Sequence, residues 1–135
     1  MREYNFVMPI SITVLRKTKE DKKYSLGANS YRNWHYMVSN DLKKRYKELV
    51  KQQVVALDMQ PVNKIKIYYK LFKPTKARYD KFNFAFVASK FFLDALVDLD
   101  MLPDDNDDFV KKETILPSEY DKNNGRIEIK IMEIE

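Results

Sequence analysis

Residues 82–99 are apolar almost all the way round a helical wheel, and that single stretch limits the folds open to the chain. A helix of this kind has to be covered on more than one side, so the remaining residues must supply a sheet and a second helix around it. With 135 residues the natural count is one domain, residues 1–135, large enough for a real core.

The flanking sequence offers those elements. Residues 3–8 read as a strand ending at Pro9, with a second strand candidate at 12–15. Residues 16–24 are dense in Lys and Arg and read as a mobile loop. Asn29 or Ser30 can cap a helix running to about Val54. On it Trp34, Val38, Leu42, Tyr46 and Leu49 share one side, and Lys43, Lys44, Lys47 and Lys51 the other. Those lysines form either a plain solvated face or one that tracks phosphates. Residues 64–72 alternate as a half-buried strand closed by Pro74. Strands at 109–116 and 125–132 follow, joined by a turn through Asn123, Asn124 and Gly125. The expectation is an α+β fold: a small mixed β-sheet packed with two main helices, in the order β(β)αβαββ.

Composition removes whole classes of chemistry. Without cysteine there are no disulfides, zinc ribbons or thiol nucleophiles. One histidine, His35, is too few for most imidazole-based hydrolase or metalloprotease sites. Two glycines, Gly27 and Gly125, cannot build a Gly-rich phosphate loop. No signal peptide or membrane span is visible, so the chain is read as cytoplasmic and without a membrane partner. The enzyme chemistry left uses carboxylates, with or without a hard cation.

Residues 94–108 hold seven aspartates and no Lys or Arg, so the rest of the chain is far more basic than its net +5 suggests. A basic body around one acidic patch suits a nucleic-acid enzyme; the plainer reading is a solvated charge run beside a lysine-rich surface. Asp80, Asn83, Lys90, Asp94 and Asp98 fall within roughly 80° of the helical wheel, with Val87 among them. Such a stripe is either a line of salt bridges or part of a carboxylate cluster that Asp104 and Asp105 complete. Two or three converging carboxylates would hold Mg²⁺, and a nearby lysine would stabilise charge on phosphate.

In their order along the chain, these motifs resemble the RusA-type Holliday junction resolvases, especially the phage and prophage versions. Asn29, Tyr31, Arg32, Asn33 and His35 are similar to the family's N-terminal Asn-x-Tyr-Arg-Asn-x-His segment. Arg78, Asp80 and Asn83 sit where the family has a basic residue and Asp-x-Asp-Asn. Lys90, Asp94, Ala95 and Leu96 resemble its Lys…Asp-(Ala/Gly)-Leu helix, and Leu102 to Asn106 its second acidic motif. The strand at residues 126–133 resembles its last strand.

The resemblance implies a homodimer that cuts branched DNA with Mg²⁺, or Mn²⁺ in its place. It implies Asp80, Asp104 and Asp105 as metal ligands, with Asp80, Asp105 and Lys90 catalytic and Asp94 behind them. Asn29, Arg32, His35, Lys76, Arg78 and Asn83 are the candidate DNA contacts. His35 is also read as a helix cap, and Trp34 as core. One position departs from the pattern: Phe82 stands where the family has its second aspartate, and a phenyl ring ligates no cation. Two readings stay open: a nuclease working with the remaining carboxylates, or a RusA-like protein that no longer cuts and binds DNA or a host protein. A structural oligomer with no nucleic acid is the third.

Overall fold

The computed structural model describes residues 2–134. In chain order the elements are β1 (Glu3–Met8), β2 (Ser11–Val14), β3 (Lys22–Ser25), α1 (Ala28–Tyr31), α2 (Tyr36–Ala56), β4 (Lys64–Lys73), α3 (Lys81–Asp98), β5 (Val110–Ile115), β6 (Glu119–Tyr120) and β7 (Arg126–Ile134). The architecture is the expected mixed one, in the expected order. Among the described residues no helix is long and apolar enough to cross a membrane.

Strict alternation in β4 and β7 makes them the middle of the main sheet. Ile65, Ile67, Tyr69 and Leu71 of β4 and Ile127, Ile129 and Ile131 of β7 are buried on one face. The sheet order is β1-β7-β4-β5, with β6 also pairing β4. β4 runs antiparallel to β7 and parallel to β5, so α3 is the crossover of a β-α-β unit. Both long helices pack on the buried face, and the opposite face keeps half-buried residues such as Lys66, Tyr68 and Lys70. β1 lies at one edge, where the Gln53 side-chain amide of α2 donates to the Val7 carbonyl and accepts from the Val7 N–H, each at 2.9 Å. That amide occupies the backbone groups a further strand would otherwise pair with.

Three expectations need correction. The basic loop is not all loop: residues 22–25 form β3, which pairs antiparallel with β2. The helix expected from residue 29 is two helices, because α1 stops at Tyr31 and α2 starts at Tyr36. His35 supplies the second start, its Nδ1 accepting from the Met37 N–H at 3.2 Å, which makes it the N-cap. Trp34 lies in the break, half-buried, edge-on to Tyr24 and Tyr31. Finally, α3 is not covered all round. Its Ala85, Val87, Ala88, Phe91, Phe92, Ala95 and Leu96 are buried, but Phe82 is 62% exposed and Phe86 46%.

Candidate nucleic-acid interface

Of the residues that the sequence singled out for DNA contact, Asn83 lies on the first half of α3 and Asn29 is bonded to it, while His35 caps α2. Asp80 caps α3, its Oδ1 accepting from the Phe82 N–H at 3.0 Å. Asn83, one turn in, accepts from the Asn29 N–H at 3.2 Å and so ties α1 to α3. Its carbonyl is occupied with this internal bond rather than turned outward. The Tyr31 ring stands edge-on to Phe86 at 6.3 Å and to Phe91 at 6.0 Å, which seats α1 against the same helix. Arg32, directly after α1, is exposed, as are Lys76 and Arg78 in the loop that leads into α3.

The exposed rings are interleaved with cations. Lys81 Nζ lies 5.7 Å from the Phe82 ring centre, and Lys90 Nζ 5.4 Å from that of Phe86. Lys76 Nζ lies 5.6 Å from Tyr120. Among the described residues Arg32, Lys76, Arg78, Lys81 and Lys90 make no ion pair, whereas Arg2, Arg45, Lys47, Lys70, Arg126 and Lys130 each have a carboxylate partner.

Of the α2 lysines, Lys44 and Lys51 are exposed, and Lys47 is drawn into an interhelical pair. Lys43, Lys44 and Lys47 line a groove against α3 together with Asp94 and Asp98, and Lys47 Nζ is 3.7 Å from Asp98 Oδ2. Lys47 thus draws its countercharge from this chain's own acidic stretch, while Lys43 Nζ lies 5.9 Å from the Phe91 ring centre. That interhelical pairing also accounts for the lower half of the polar stripe.

The expected carboxylate cluster does not assemble within one chain. Asp80 and Asp94 lie at opposite ends of fourteen residues of unbroken α3, so they are about 21 Å apart along the axis. Asp105 belongs with the far end. Its carboxyl is pushed above the usual range by partial desolvation, then by Asp104 and Asp94. Asp104 is spent locally: its Oδ1 accepts from the Asp105 N–H at 2.7 Å and its Oδ2 from Asn106 Nδ2 at 3.2 Å. Among the described residues no three Asp, Glu or His side chains stand together as a metal-binding group. Within one chain Asp80 is therefore held apart from Asp104 and Asp105, and Lys90 lies on the helix between the two ends.

Glu113 is the polar residue that sequence reasoning missed. Its Oε1 accepts from Tyr69 Oη and from Ser89 Oγ, both at 2.7 Å. Burial pushes the Tyr69 phenol well above its usual range, and the adjacent Glu113 charge raises it further. A bulge sets this contact up: Ile65 pairs with Val110 but Lys66 pairs with Lys112, so Lys111 is an extra residue. Without it Lys112 would stand opposite Ile67; with it Glu113 takes that place and turns toward the helix face. Nothing in the run Val110 to Glu113 marks such a slip.

No family model matches the chain, and no curated protein is significantly similar to it.

Proposed function

We propose that this protein is a RusA-like DNA-binding protein that grips branched DNA without cutting it. The observation that supports the reading is the first half of α3, where Lys81 and Lys90 stand over the exposed Phe82 and Phe86, while Arg32, Lys76 and Arg78 are exposed on the segments before the helix. Cations tracking phosphates supply affinity on either DNA strand, and aromatic rings between them offer stacking surfaces where strands part. Asp80 and Asp105 are separated by the length of α3, so one subunit alone does not bring both to the single metal centre that in-line phosphoryl transfer needs. A homodimer remains part of the proposal: four-way DNA has two-fold symmetry, and a dimer would present this surface twice.

The test is a salt titration of binding to a synthetic four-way junction. Each neutralised phosphate contributes about −0.9 to the slope of log affinity against log salt, so five contacts predict a slope of about −4.5 per surface. Arg32→Ala and Lys90→Ala should each flatten it by about one. Affinity indifferent to salt would remove the proposal and leave a protein partner as the better reading.

A further inference from the structure

Beneath the two exposed rings of α3 lies a cleft of about 490 Å³, with Tyr69, Ser89 and Glu113 at one side and Phe82, Phe86 and Lys90 at the other. The cleft joins three features that a surface patch lacks. Aromatic rings make up much of its apolar lining, Glu113 is its one carboxylate, and Lys90 is its one cation.

The carboxylate is held in place. Two hydroxyl groups donate to Oε1 of Glu113, one from the sheet and one from α3, and Oε2 accepts no hydrogen bond among the described residues. Glu113 thus presents an acceptor that donors from outside can meet. Phe82 and Phe86 are one turn apart on α3, so both exposed rings project from the same flank of the helix. Lys90, with its ammonium 5.4 Å from Phe86, is placed for an anionic group attached to a guest in the cleft.

We infer that this cleft receives one unpaired nucleobase of the bound DNA, stacked against Phe82 and Phe86, its amino group donating to Glu113 and its phosphate meeting Lys90. The inference rests on the DNA-binding reading and adds to it a ligand: a base released from pairing, as at a bulge or branch point. An acceptor-only carboxylate favours the exocyclic amine of adenine, cytosine or guanine over thymine, whose one donor, the ring N3–H, is flanked by two carbonyl oxygens that a carboxylate repels. An apolar peptide side chain would fill the same walls, but it offers neither the donor for Glu113 nor the anion for Lys90.

The experiment compares a fully paired duplex with the same duplex carrying one bulged adenine, using the intact protein. Stacking of one base predicts that the bulged duplex binds about 5- to 150-fold more tightly. Phe82→Ala should bring that ratio toward one, and Phe86→Ala should do the same. Phe82 is the safer variant because its ring is the more exposed, so its loss leaves the core intact. A bulged thymine should bind less tightly than a bulged adenine, and Glu113→Gln should narrow the difference. Equal binding of paired and bulged duplexes by the wild type would overturn the inference while leaving general DNA binding standing. A bulge preference that survives Phe82→Ala and Phe86→Ala would also overturn it. Failure to bind either duplex at low salt would overturn both readings together.

Discussion

Replacing Gly27 by alanine tests how α1 is fixed to α3. Gly27 has φ −99° and ψ 156°, extended backbone open to any residue. An added Cβ would nonetheless stand 2.8 Å from Asn83 Nδ2, with Ser25 Oγ at an ordinary 3.7 Å. The obstacle is the tip of a side chain, so the methyl is accommodated if the Asn83 amide swings aside. That movement breaks the 3.2 Å bond from the Asn29 N–H to Asn83 Oδ1. Losing it costs about 0.5–1.5 kcal/mol net. Against this, alanine restricts the unfolded chain and stabilises by about 0.4–1 kcal/mol. Gly27→Ala alone should therefore fall between about 0.5 kcal/mol stabilising and about 1 kcal/mol destabilising. In an Asn83→Ala background the clash is gone, and the same substitution should stabilise by about 0.4–1 kcal/mol. Urea unfolding of the four proteins gives the coupling, predicted at about 0.5–1.5 kcal/mol. Additivity within about 0.3 kcal/mol would show that Asn83 does not hold α1 in the way described.

Two further substitutions probe the core and the acidic end. The Tyr46 hydroxyl is buried without a hydrogen-bond partner, and burial pushes its ionisation far upward. Tyr46→Phe keeps the ring against Phe91 and removes the unpaired group. It should stabilise by about 1 kcal/mol, roughly 4 °C in Tm; a loss of stability would mean the hydroxyl is bonded in solution. For Asp105 the sign follows from its raised folded value: the charged carboxylate costs stability once pH exceeds the unfolded value, and costs nothing when both states are protonated. Asp105→Asn should raise Tm slightly at pH 7, by no more than about 0.5 kcal/mol at this exposed site, with the gain vanishing below about pH 3. A gain that grows on acidification would contradict the repulsion from Asp104 and Asp94.

The elements were legible wherever local pattern and tertiary role agree. Period-two alternation in residues 64–72 gave β4, and the near-continuous apolar run gave α3 within a residue at either end. The break between α1 and α2 was not legible, because Trp34 continues the helical spacing of Val38 and Leu42 while actually packing from a loop. Exposure of Phe82 and Phe86 was hidden for a related reason: on a wheel they look like core, and only the position of the sheet shows which flank of α3 is left open. The same wheel places Asp80 and Asp98 on one stripe and says nothing of the length between them, so convergence of the carboxylates was read where the helix keeps them apart. Glu113 depends on a bulge and on partners 24 and 44 residues away, which no local pattern encodes.

The central claim is binding without cutting, and one assay addresses both halves. A labelled four-way junction incubated with the protein in millimolar Mg²⁺ or Mn²⁺ can be run on native and denaturing gels. The account predicts a retarded complex that weakens as salt rises, intact strands on the denaturing gel in either metal, and the same pattern for Asp105→Asn. Symmetric nicks that require metal and disappear in Asp105→Asn would contradict it, and would place Asp80 of one subunit beside Asp105 of another.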